Sequence, residues 1–230
     1  MGVKNLICVR NNGKWAVAQR SNLDGFPTGQ GLILFKFLRD EENVARLRAG
    51  LAHTFEATND LFDEMDQVIL SERRRLERQD PADLYDYITS RRQFLRSLPR
   101  GPIGESTTRS YLDSFDLATE LFPSLSRNTG AKILDIIANA DAQHRVPIKM
   151  DLAFAGDSFN CEWAYIVDLD EERLKIFGGR DITDENHPFN EQFNTLGDWL
   201  DVPKLLLTYT FAELRGWDEE EYRRCMRGYH

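Results

Sequence analysis

VKNLICVRNNGKWAVAQRSNLDGFPTGQG, residues 3–31, decides the fold of this chain. Residues 3–9 are largely apolar and β-prone, and residues 15–20 continue the pattern. Between them, Asn12 and Gly13 supply the two positive φ angles of a type I′ turn, so the spacing predicts a tight antiparallel hairpin. The following loop, 21–28, holds Asp24, Gly25 and Pro27, all turn formers. From Gly29 the apolar period becomes helical, with Leu34, Phe37 and Leu38 sharing a face. This order of elements brings backbone N–H groups, a carboxylate and several polar side chains to one edge of a sheet.

Outward from that stretch, Asp40 is placed to cap a second helix carrying Val44, Leu47 and Leu51. Residues 56–80 are charged, acidic first and then basic (Arg73, Arg74, Arg75, Arg78), which predicts a helix or an excursion from the core. Asp80 and Pro81 suit the start of another helix, with Leu84, Ile88 and Leu95 on its buried stripe. Residues 98–110, with two prolines and two glycines, read as a linker. Helices are expected over 111–122 and 130–140.

The last hundred residues turn to strands, at 147–154, 161–167, 173–177 and 204–211, followed by a charged helix over 218–227. In the second of these, Cys161, Trp163, Tyr165 and Val167 alternate with Glu162, Ala164 and Ile166, the period of a strand. The expected class is α+β: hairpin and C-terminal strands in a mixed or antiparallel sheet covered by helices. The expected organisation is a single domain over 1–230 with a helical insertion at about 56–110. The opening strand, turn, strand and helix also fit the αββα sandwich of N-terminal nucleophile (Ntn) hydrolases.

The 230 residues are 41% hydrophobic and 29% charged, as in a soluble globular protein. A formal net charge of −9 disfavours nucleic acid, because phosphate attraction needs a basic field. Cys8, Cys161 and Cys225 show neither disulfide pairing nor zinc-ligand spacing, which makes the reducing cytoplasm the expected compartment. The start MGVKNLICVR does not read as a signal peptide, and Leu6 stands where a myristoylation motif has Ser or Thr. No apolar run approaches the roughly 20 residues that span a bilayer. No membrane partner, metal or cofactor is expected, and the oligomeric state is left open.

Glycine-rich turns entering a helix present N–H groups and a positive dipole end, which suits an anion. The bland reading of loop 24–31 is that its glycines serve backbone conformation while Asp24 bonds nearby amides. Neither a Walker lysine nor GxGxxG spacing accompanies it. The candidate ligand-binding residues are Arg10, Gln19, Arg20, Asp24, Gly25, Gly29, Gln30 and Gly31, with Cys8 and Glu162 as weaker candidates.

No catalytic residue is named. An Ntn enzyme uses its terminal residue as nucleophile, and Gly2 has none, so Cys8 serves only after cleavage before it. Cys161 and Trp163 read as core, with Glu162 on the other strand face. The acidic turn 168–172 lacks the length and glycine of a calcium loop and reads as a solvated hairpin turn. Arg73–75 with Arg91, Arg92 and Arg96 form either a basic strip or, in the favoured reading, a salt-bridged helical face.

Three stretches resemble an uncharacterised family of fungal hypothetical proteins with shorter relatives in tailed phages and bacteria. Its opening hairpin precedes a Trp-Asp-Gly-Tyr-Pro-x-Gly-Gln-Gly loop, read here as LDGFPTGQG from Leu23 to Gly31. FPSLSRNTGAKIL (122–134) and FNCEWAYIVDLD (159–170) look like the fungal members. Leu23 replaces the family's tryptophan, and the resemblance implies no activity. The expected role is a non-catalytic binding or interaction protein that uses loop 24–31 to hold a protein, peptide or small anion. The alternative is a hydrolase or amide-transferring enzyme of Ntn-like fold with a cleft lined by Arg10, Gln19, Arg20 and Asp24.

Overall fold

The structure, a computed structural model, describes residues 3–22, 24–79, 116–157, 159–181, 187–189 and 202–229. The expected helix after Pro81 and the linker at 98–110 lie outside the described residues. The chain divides into two compact units, Met1–Ala57 with Ser124–His230, and Thr58–Pro123.

The first unit is α+β, built on a mixed five-stranded sheet. Strands β1 (Asn5–Asn11) and β2 (Lys14–Ser21) form the hairpin, and Asn11 pairs with Lys14 across the turn. Asn12 at φ 53° and Gly13 at φ 70° adopt the left-handed angles that the Asn-Gly pair predicts. A bulge between Val9 and Arg10 shifts the register. Strand β1 also pairs in parallel with β5 (Trp163–Asp168), which continues antiparallel into β6 (Arg173–Asp181) and β7 (Val202–Thr210). The order is therefore β2-β1-β5-β6-β7.

Alternation along the strands separates two cores. Ile7, Val9, Val17, Tyr165, Val167, Leu174 and Ile176 face the helices. These are α1 (Leu32–Leu38), α2 (Glu41–Gly50), α5 (Ile133–Ala138), α6 (Phe211–Gly216) and α7 (Glu219–Met226). Asp40 caps α2 as expected, accepting from the Glu42 N–H at 2.9 Å. A Cβ on Gly50 would strike the Ile137 carbonyl, so glycine is what lets α2 approach α5.

The opposite face packs Leu6, Cys8, Ala18, Ala164, Ile166 and Phe177 against Leu152, Phe154 and Phe189. Trp15 stacks on Phe189 with ring centroids 5.5 Å apart. The segment read as a strand over 147–154 is instead the short β4 (Val146–Ile148), which pairs with β3 (Thr54–Glu56), followed by a 3-10 turn, Leu152–Gly156. That turn covers this second face, and Met150 makes a single parallel bridge to Ala18 on the edge strand β2 before the chain curls into it.

The sequence reading missed α6. Its start is a capping box in which the Thr210 side chain accepts from the Glu213 N–H and the Glu213 side chain accepts from the Thr210 N–H. The second unit holds α3 (Asn59–Leu76), capped by Thr58, and α4 (Leu117–Leu121), capped by Asp116. Among the described residues no helix is long and apolar enough to cross a membrane.

Candidate functional site

Loop 24–31 leaves β2 and returns under the sheet. Asp24 sits at φ +39°, a left-handed conformation that Asp tolerates better than most L-residues. That reversal turns its carbonyl toward the Gln30 N–H at 3.0 Å, while the Gly25 N–H donates to Val3 O at 3.0 Å. The Gly29 and Gly31 N–H groups both donate to Phe26 O, at 2.9 and 3.3 Å. The N–H groups of Gly25, Gly29, Gln30 and Gly31, four of the candidate residues, therefore already donate to backbone carbonyls. Helical geometry is in place at Gly29, as expected: a π-helical turn, Pro27–Gly31, runs directly into α1 at Leu32.

Two buried tyrosine hydroxyls hold the loop from inside. Tyr165 donates to Gly25 O at 2.6 Å, and Tyr222 to Pro27 O at 3.0 Å. Burial pushes both phenols well above their ordinary pKa, so both stay donors. The glycines fit this packing closely. A Cβ on Gly29 would collide with Asp24, and one on Gly31 would meet the Tyr222 hydroxyl at 2.7 Å.

The side chains divide the candidates. Gln19, only 3% exposed, donates through Nε2 to Ser126 O at 2.8 Å, and Gln30, 5% exposed, accepts the Ala131 N–H at 2.7 Å. The Asn22 N–H donates to Arg127 O at 2.8 Å. Gln30 thus joins loop 24–31 to segment 124–131, and Gln19 joins the end of β2 to the same segment. Seven of the eight buried polar or charged residues described (Asn5, Gln19, Ser21, Gln30, Ser124, Ser126 and Thr129) come from the strand end, the loop and segment 124–129, so this is a polar knot inside an otherwise apolar unit.

Strand alternation sends Arg10 and Arg20 to the opposite face from Gln19. The Arg20 guanidinium lies 4.2 Å from the Phe154 ring centroid, and that of Arg10 lies 5.8 Å from the Trp15 ring. Four residues of strand, roughly 13 Å, separate the two arginines. The cleft expected from Arg10, Gln19, Arg20 and Asp24 is therefore not assembled. Asp24 is exposed, and no ion pair or hydrogen bond of its carboxylate is found among the described residues.

Cys8 is wholly buried between Ala18 and Ile166, and burial raises its thiol well above the ordinary value. Cys161 is pushed up to about 12 by the same cause. Neither thiol is in the thiolate form a nucleophile requires at neutral pH. Glu162 is exposed and accepts the Lys4 N–H at 3.4 Å.

The sequence reading missed Tyr165, Tyr222, Ser126 and Asp168. Tyr165 carries a signal, since it shares the strand face of Trp163. Asp168, 2% exposed, pairs with Lys175 at 3.1 Å and accepts the N–H groups of Asp170 and Glu171. Its neighbour Asp170 accepts the Asn12 and Gly13 N–H groups, each at 2.8 Å, which ties the β5–β6 turn to the β1–β2 turn. Those two donors hold the Asp170 carboxyl below its usual value. Among the described residues no group of three or more His, Cys, Asp or Glu is placed to hold a metal ion. Comparison of the chain with protein families, with curated proteins and with solved structures yields no match.

Proposed function

We propose that this chain is a non-catalytic binding protein that presents loop 24–31 to a protein or peptide partner in the reducing cytoplasm. One observation carries the reading. Asp24 is held in a left-handed conformation with its carboxylate exposed, on a loop fixed from below by two buried tyrosine hydroxyls. Strained, over-determined positions concentrate at functional sites, and a pre-organised surface loses little entropy on binding. The engaged amides count against a small anion at this loop, whereas the free carboxylate suits a cationic side chain of a partner. Membership of the fungal and phage-related family belongs to the same proposal, because two of its signature stretches build this platform.

The Ntn-like hydrolase reading has less support. It needs cleavage before Cys8, a residue whose strand pairs on both sides and whose thiol is buried. It also needs a second full sheet, where the described residues give five strands in one sheet and two in another.

Asp24→Asn removes the charge and keeps a side chain that tolerates positive φ. Wild-type protein immobilised in cell extract should retain a partner whose affinity falls at least about tenfold, or about 1.4 kcal/mol, in Asp24→Asn at unchanged melting temperature. Equal retention by both proteins would overturn the proposal. A mature chain starting at Cys8, read by intact mass, would favour the hydrolase.

A further inference from the structure

The C-terminal end of α3 gathers four arginines. Helix polarity favours cations in a last turn, and Arg73, Arg74 and Arg75 occupy it. Two of the four have local carboxylates: Arg73 pairs with Glu77 at 3.4 Å and Arg75 with Glu72 at 2.6 Å. That half of the arrangement is the salt-bridged face expected from sequence.

Arg74 and Arg78 are different. Both are exposed, and among the described residues neither has an ion pair or a side-chain hydrogen bond. They stand four residues apart, a spacing at which like charges on a helical turn repel. Arg78 lies beyond the cap residue Glu77, so helix polarity does not account for it. Arg74, Arg75 and Arg78, with Gln67, Ser71 and Gln79, line a cleft of about 550 Å³.

We propose that this cleft binds a small phosphate ester, with the phosphate between Arg74 and Arg78. Guanidinium groups match phosphate oxygens in paired hydrogen bonds, which makes arginine the residue suited to such a ligand. A compact anion feels these local cations within a Debye length of about 8 Å. A nucleic acid, extending well past that distance, meets a protein of net charge −9 and is repelled. The role of the cleft does not depend on the one proposed for loop 24–31.

Ribose 5-phosphate titrated into the full chain by calorimetry at about 150 mM salt tests the assignment. Saturable binding is expected, weakened at least about tenfold in Arg74→Gln and in Arg78→Gln. Arg78→Lys should recover part of the loss, since the charge returns without the fork. Both positions are exposed, and unchanged melting temperatures would show that the variants fold. Absence of saturable heat, equal binding by Arg78→Gln, or the same response to sodium sulfate at matched ionic strength would each overturn the proposal.

Discussion

Loop 24–31 and the end of α3 are opposites. In the loop, four amides donate to carbonyls, two buried hydroxyls donate to the Gly25 and Pro27 carbonyls, and Gln30 binds it to segment 124–131. At the end of α3, two exposed guanidinium groups have no partner among the described residues, whereas a buried side-chain oxygen without one occurs in both regions, at Gln19 and at Gln79. A polar group already satisfied gains little by exchanging its partner for a ligand, whereas an unmatched one gains a full interaction. The glycines of the loop are therefore chiefly architecture that leaves the Asp24 carboxylate as its free group, and the arginine run holds two unmatched cations.

The comparison can be broken by mutations of graded size. Gly130→Ala should cost most, about 2–4 kcal/mol, because Gly130 sits at φ +55° and a Cβ there would strike the Gln30 amide. Denaturant unfolding measures it, and a small loss would show that the Gln30 tie is loose. Tyr165→Phe should cost about 1–3 kcal/mol by leaving the Gly25 carbonyl buried and unmatched, and should speed amide exchange at Gly29 and Gln30.

A pH effect comes next in size. The Asp170 carboxyl is held below its ordinary 3.8 in the folded state by the Gly13 and Asn12 N–H groups. Its contribution is therefore present above the unfolded value and lost as pH falls through the folded one. The gap in melting temperature between wild type and Asp170→Ala should be open near neutral pH and close in acid. Smallest of all, Arg78→Gln should change stability by less than about 0.5 kcal/mol, with a slight gain from relief of its repulsion with Arg74. A large loss there would mean that the arginine has a structural partner.

Features set by neighbouring residues were legible in the sequence. The Asn12-Gly13 turn, the Asp40 cap and the strand alternation through Trp163 and Tyr165 all depend on local chemistry. The capping box at Thr210 and Glu213 was equally local, and went unread because the strand before it was carried one residue too far. What the sequence hid was long-range. Nothing near Ile7 signals that β1 pairs in parallel with β5, about 160 residues away. Nothing in the loop shows that Asp24 reverses the chain and closes its amides. Gln19 and Gln30 read as ligand-binding residues until segment 124–131 is seen to occupy them. Arg10 and Arg20 lie close to Gln19 in the hairpin sequence, yet strand alternation sets them on the opposite face.

The most direct test is an amide chemical-shift titration of the isotope-labelled chain with ribose 5-phosphate, which reads both regions in one experiment. Saturable shifts are expected at Arg74, Arg78 and Gln79, with Gly25, Gly29, Gln30 and Gly31 unmoved. Shifts that appear first at the loop amides, with α3 silent, would contradict the phosphate site.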